Sequence, residues 1–344
     1  MPGTFRFSFG PWNIHEGADP FGPPVRPTLA FAEKLKQYKT LGFEGVQFHD
    51  DDAVPNLNDL SSAEVERAAK EMRRMLDAEG LITEIVAPRL WEDHRTIDGA
   101  YTSNNEAERQ YALDRSLQCI DIGNILGCHK VVLWLAREGT YIREAKDARL
   151  AVERLVTAID TMLAHDSNAN ILIEPKPNEP MDLAYIPTIG HAIGMAYLTA
   201  EPGRVGALVE SAHAILAGLD PSDEMAYALA HKKLWSVHLN DQNGLKFDQD
   251  KAFGAVDLRR AFMQVWVLDR NGYGNNGEFV GLDVKAMRTQ KAGAATQHLS
   301  NSREIFLALL DIVRGLDTAQ IDTLIAERNY ERLEMEIVKA LMGR

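Results

Sequence analysis

Cysteine is nearly absent from this chain: Cys119 and Cys128 are the two among 344 residues, too few for a disulfide-built scaffold. Excess positive charge is missing as well. With 37 Lys and Arg against 50 Asp and Glu, the formal charge is −13, which repels nucleic acid and anionic membrane surfaces. No stretch approaches the roughly 20 apolar residues of a membrane span. The opening Met1-Pro2-Gly3-Thr4-Phe5-Arg6 lacks an apolar run of signal-peptide length. Low-complexity tracts and short-period repeats are also wanting. What remains, 45% apolar and 25% charged residues, is the composition of a globular protein with a full core. A cytoplasmic location with no nucleic-acid or membrane partner is expected.

Short β-type runs alternate with longer helical patterns. Strands are predicted at Phe5–Phe9, Gly45–Phe48, Ile82–Ala87, Lys130–Trp134, Ile171–Glu174, Val205–Glu210, Trp235–Leu239 and Phe279–Asp283. Several are apolar nearly throughout, as parallel strands buried on both faces are. Helical spacing is clearest where Val65, Ala69, Met72 and Leu76 recur and Gly80 closes the run. Similar patterns fill Leu29–Leu41, Glu106–Leu126, Arg149–Ala164, Asp257–Leu268 and Arg303–Val313, and a last helix is expected at about Asp322–Met342. Eight strands, each followed by a helix or long connection, predict a (β/α)8 TIM barrel over residues 1–315. Residues 316–344 form a short C-terminal helical extension.

In such a barrel chemistry sits at the carboxyl ends of the strands, and here those ends are rich in titratable and aromatic groups. They carry His49 with Asp50, Asp51 and Asp52; Trp91; Trp134; Glu174 with Lys176; Glu210 with His213; His238, Asn240 and Asp241; and Asp283 with Lys285. In Ile171-Leu-Ile-Glu174-Pro-Lys176 the carboxylate and ammonium are two residues apart on a strand, hence on one face. Glu210 and His213 can offer an oxygen and an imidazole to one cation. Asp248 and Asp250 face the same way in an extended segment and repel unless a cation or proton lies between them. With Asp283 the acids number five, beside one imidazole. That set implies divalent metal, two ions, with Mg, Mn or Co favoured over a thiolate zinc site.

Four segments carry a family resemblance: Phe48-His49-Asp50-Asp51-Asp52, Ile173-Glu174-Pro-Lys176-Pro-Asn-Glu179-Pro, Gly244-Leu-Lys-Phe-Asp248-Gln-Asp250 and Leu282-Asp283-Val-Lys285-Ala-Met-Arg288-Thr289. They resemble, in order and with near-constant spacing, the signatures of the shorter class of xylose isomerase. Phe9-Gly-Pro-Trp12, Asp19-Pro-Phe21-Gly22 and Trp134 with Arg137-Glu138-Gly139 extend the likeness. The resemblance implies a metal-dependent aldose–ketose isomerase acting on a sugar. Glu174, Glu210 and Asp283 match ligands of a first ion, and Glu210, His213, Asp248 and Asp250 those of a second. His49, oriented by Asp52, matches the ring-opening pair, and Lys176 the lysine at the oxygen on C1. Trp12, Trp134 and, across a subunit contact, Phe21 match the aromatic walls.

The chain departs from the family pattern at four places. Asn240 stands where the family has an aspartate ligand; its carbonyl oxygen can coordinate, and Asp241 or His238 can substitute for it. Ala87-Pro-Arg89-Leu-Trp91 replaces a Thr-x-Asn-x-Phe segment, losing a hydroxyl and gaining a cation and a larger ring. Substrate preference is therefore expected to differ, with Arg89 and Trp91 as further substrate-contacting candidates and an anionic sugar as one option. Trp134-Leu135-Ala136 replaces Trp-Gly-Gly. The tail is shorter than the family's intersubunit arm, so a homodimer stands beside a homotetramer. A ketose epimerase on the same barrel and an inactive metal- and sugar-binding homologue are the alternatives.

Overall fold

The structure is a computed structural model. It describes residues 4–344; residues 1–3, counted with the barrel above, lie outside the described ones. The barrel strands are β1 (Arg6–Phe9), β2 (Gly45–His49), β3 (Ile82–Ala87), β4 (Lys130–Trp134), β5 (Asn170–Glu174), β6 (Val205–Glu210), β7 (Leu234–Leu239) and β8 (Phe279–Leu282). Each lies parallel to its neighbours, and the pairing of Arg6 with Phe279 through Phe9 with Leu282 closes the ring. A small antiparallel ribbon, Gly139–Thr140 with Leu183–Ala184, stands outside it.

Helices cover the outside as their apolar stripes require. Val65, Ala69, Met72 and Leu76 form the buried face of helix Ser62–Glu79. Ser61 and Glu64 satisfy its first turn reciprocally, and Gly80 ends it at φ +61°. Helices Ile189–Leu198 and Pro221–Ala230 were not expected; Ile-Gly-His-Ala-Ile-Gly-Met-Ala-Tyr-Leu is apolar nearly all round and shows no stripe. The single terminal helix expected at about Asp322–Met342 is corrected to two, Thr318–Ala326 and Tyr330–Leu341. The chain turns between them where Arg328 takes φ +54°.

Alternation along each strand positions the mouth. Ile85, Val132, Leu172 and Leu208 meet inside the barrel with Ala87. Two residues further on, each strand presents its mouth residue on the same face: Ala87, Trp134, Glu174 and Glu210. On β8 the inward position is Gly281, where a Cβ would lie 2.5 Å from Gln47 Nε2 and 3.2 Å from His238 Cδ2. Glycine there leaves the room those two side chains occupy. Beneath the mouth, Glu84 is the extra residue where the β2–β3 register shifts. Its carboxylate accepts from Gln47 Nε2 at 3.0 Å, Ser236 Oγ at 2.8 Å and Ser8 Oγ.

Candidate functional site

A cavity of about 440 Å³ opens at the carboxyl ends of the strands. Glu174 at the end of β5, Asp283 after β8, and Asp248 and Asp250 in the loop after β7 line its acidic side, and Glu210 at the end of β6 lies buried behind them. Glu210 is the hub. Ligand-type atoms of Glu174, Glu210 and His213 lie within 4.8 Å of one another, as do those of Glu210, Asp248 and Asp250 and those of Glu210, His238 and Asp283. His213 Nε2 is 3.2 Å from Glu210 Oε1 and 3.1 Å from Asp248 Oδ2; His238 Nδ1 is 3.4 Å from Glu174 Oε1.

Two ammonium groups face five carboxylates. Lys176 Nζ donates to Asp248 Oδ2 at 2.8 Å and lies 3.3 Å from Glu179 Oε2, while Lys285 Nζ pairs with Asp250. Burial works against the Lys176 charge, but Asp248 and Glu179 outweigh it and hold the ammonium above its ordinary range. Asp250 sits at φ +47°, a conformation costing on the order of 1 kcal/mol; the backbone N–H of Lys285 holds its carbonyl at 2.7 Å. Burial lifts the Asp250 carboxyl well above the usual range, with Asp248 adding repulsion, and burial lifts Glu210 likewise. Burial opposes the charge on Glu174 too, yet His238 and His213 prevail and bring it down to about 2. Uncompensated acids of this kind require a cation or protons.

The residues fit a divalent ion. His213 Nδ1, both ring nitrogens of His238 and Asp248 Oδ1 are buried without a hydrogen-bond partner, a costly state that a ligated metal would relieve. Carboxylate oxygens with imidazole nitrogen form a donor set suited to Mg, Mn or Co.

Asn240, expected as a ligand, is hydrogen-bonded on both sides of its amide. Its Oδ1 accepts the Ala212 N–H at 2.7 Å, and its amide nitrogen donates to Glu210 Oε1 at 2.9 Å, Asp250 Oδ1 at 3.3 Å and the Asp283 carbonyl at 3.0 Å. The face it turns to the acids is a donor, and these bonds tie Glu210 and Asp250 together. Asp241 is spent as well, accepting backbone N–H groups of Gln242, Val256 and Asp257. His238 is the one of the three alternatives brought among the acids.

Across the cavity stands an aromatic wall. Trp12 lies over His49 with ring centroids 4.2 Å apart and donates from Nε1 to Asp283 Oδ1 at 2.9 Å. Trp91 meets His49 at 5.0 Å and Trp134 at 4.7 Å, both edge to face. Arg137 Nε holds the Trp91 carbonyl at 3.1 Å, and Lys176 Nζ lies 5.1 Å from the Trp134 ring centroid. Phe21 is 79% exposed and packs edge to face on Phe247 at the rim; Pro20, its neighbour, lines the cavity while Phe21 does not.

His49 Nδ1 is 2.9 Å from Asp52 Oδ2. Burial alone would raise the Asp52 carboxyl, but the His49 hydrogen bond and the Arg89 charge hold it below the ordinary range. Arg89 Nη2, a donor, lies at the same 2.9 Å from Nδ1, so the ring is oriented between a carboxylate and a guanidinium. Arg89, expected toward the far end of a substrate, lines the cavity, but its nitrogens are engaged. Nε donates to Asp51 Oδ1 at 2.7 Å, Nη2 to Asp52 Oδ1 at 3.2 Å beside His49 Nδ1, and Nη1 to Glu92 Oε1 at 3.4 Å. Surrounded by carboxylates, it offers no vacant fork to an anionic sugar.

Arg115 was missed. From helix Glu106–Leu126 it grips Asp50 with Nε at 2.7 Å and Nη2 at 2.8 Å, and Nη2 reaches Asp51 Oδ2 at 3.1 Å. The signal was present: an arginine falls on the buried face with Ala112, Cys119 and Ile122, where an unpaired charge is not tolerated.

Comparison with known proteins gives one family model, a xylose isomerase-like TIM barrel, matched over residues 35–276. Among solved structures, a D-tagatose 3-epimerase-like protein is 14% identical over 90% of this chain and 98% of its own, with a TM-score of 0.65. D-psicose 3-epimerase from Clostridium cellulolyticum H10 is 15% identical over 90% of this chain and 98% of its own, at 0.61. A xylose isomerase domain protein from Alicyclobacillus acidocaldarius is 16% identical over 91% of this chain and 100% of its own, at 0.58. At such identities the likeness is one of fold. No helix among the described residues is long and apolar enough to cross a membrane.

Proposed function

This chain belongs to the xylose isomerase-like TIM-barrel family, and from that premise we propose that it is a divalent-metal-dependent aldose–ketose isomerase holding two ions. The observation that supports this most is the Glu210-centred cage, whose three ligand groups share one carboxylate and stand beside a buried lysine. Glu174, Glu210, His238 and Asp283 would hold one ion, and Glu210, His213, Asp248 and Asp250 the other. When bound, such ions polarise the two substrate oxygens and stabilise the charge that builds on them.

The chain's own groups account for the rest. Lys176, fixed by Asp248 and Glu179, donates to the oxygen on C1. His49, held by Asp52, exchanges a proton at the sugar ring during opening. Trp12, Trp91 and Trp134 keep water from the carbons. In the isomerisation a hydride moves from C2 to C1 while a proton passes from O2 to O1, so atoms and charge balance. Assembly into a homodimer or homotetramer belongs to the same reading, with exposed Phe21 as a side chain the partner would cover.

A second reading, a ketose epimerase on the same barrel, draws on Glu210, His238 and Asp283 as a single-ion set, with Glu174 3.4 Å from His238, and on the epimerases among the structural neighbours. Incubating the Mn-loaded protein with aldose and ketose panels in D2O separates the two. A hydride shift yields a ketose with no carbon-bound solvent deuterium; an epimer carrying one deuterium overturns the isomerase reading.

A further inference from the structure

Sugar hydroxyls are commonly met by side-chain hydroxyls and amides, and none line this cavity: among the described residues no Ser, Thr, Tyr, Asn or Gln does. Its hydrogen-bonding capacity lies on the β5–β8 side, in the acids, histidines and lysines. The opposite wall is Ile85, Ala87 and Val132, inward on β3 and β4, with Trp91 and Trp134 above them. The charged groups beside that wall are already engaged with one another. Arg89 serves Asp51, Asp52 and Glu92, and His49 Nδ1 serves Asp52. Glu92 stands at the opening with its side chain 66% exposed.

We propose that the substrate is a sugar lacking the terminal hydroxyl, a 6-deoxy aldose, seated with its methyl end on Ile85, Ala87, Val132 and Trp91. The isomerase reading enters only in placing C1 and C2 on the cage side. With the reacting end there, the far end of an extended sugar must cross to the apolar wall. A terminal hydroxyl set against Ile85, Ala87 and Val132 loses its water partner and meets no side-chain hydroxyl or amide in return, whereas a methyl group there buries apolar surface. A hydrophobic pocket discriminates against one added hydroxyl by about 10- to 100-fold.

The test uses matched pairs of the same hand, galactose with fucose and mannose with rhamnose, on the Mn-loaded protein, reading kcat/KM and, independently, Kd by calorimetry. The deoxy member is expected to lead at least one pair by about tenfold or more. Ala87→Thr, and the near-isosteric Val132→Thr should the first fold poorly, are expected to shrink that ratio by restoring a hydroxyl to the wall. Equal or reversed preference in every pair, or no binding of any of these sugars, overturns the proposal. Deoxy-selective binding without ketose formation supports it and counts against the isomerase reading instead, so the two fail separately.

Discussion

On β5, β6 and β7 the residue at the mouth is an acid or an imidazole; on β3 and β4 the equivalent residue is Ala87 or Trp134. The two halves share strand geometry and alternation and differ in what closes the line. Against the acids, His213 and His238 are held above the ordinary histidine range despite burial, because carboxylates surround them. Behind the end of β1, His298 is pushed the other way. Burial without an acid partner brings it down to about 4, its Nε2 donating to the Asn13 carbonyl at 2.9 Å. The lesson is that one architecture makes a half crowded with mutually repelling acids and a half that is mostly apolar.

Breaking the charged half should have the largest effect. Glu210→Gln removes the carboxylate common to all three ligand groups and is expected to lower turnover by about 10³-fold or more, measured with saturating Mn. Near-native turnover would dissolve the contrast between the halves. A smaller effect is expected from Arg89→Met, which releases Asp51 and Asp52 and with them the orientation of His49. Turnover should fall about 10- to 100-fold with Mn stoichiometry unchanged. Arg89→Lys should not restore it, since a single ammonium cannot span Asp51, Asp52 and Glu92; full rescue would reduce Arg89 to a charge.

The smallest effect concerns pH. With its folded value near 4 against 6.5 unfolded, His298 binds fewer protons folded than unfolded in that interval. Its contribution is complete above pH 6.5 and is lost as pH falls toward 4, at most about 3 kcal/mol. Denaturant melts of the chelator-treated protein should show His298→Gln to be less sensitive to pH across this window. An unchanged slope would remove His298 as its source.

Most of the site was legible because parity is rigid: a residue two beyond an inward apolar side chain faces inward too, which is why Glu174 and Glu210 could be read from Leu172 and Leu208. The closed barrel was legible for the same reason, from runs apolar on both faces. What escaped depends on orientation that spacing does not encode. Asn240 has a ligand-type oxygen, and the Ala212 N–H decides that this oxygen turns away. The Trp12 indole reaching Asp283, and the Arg115 grip on Asp50, join segments remote in sequence. Helix Ile189–Leu198 escaped because it has no polar face to set its period.

Metal titration tests the central claim most directly. Chelator-treated protein titrated with Mn in a calorimeter should bind two ions per chain, and Glu210→Gln should lose both. Binding to the unmutated chain no tighter than to Glu210→Gln would contradict the cage.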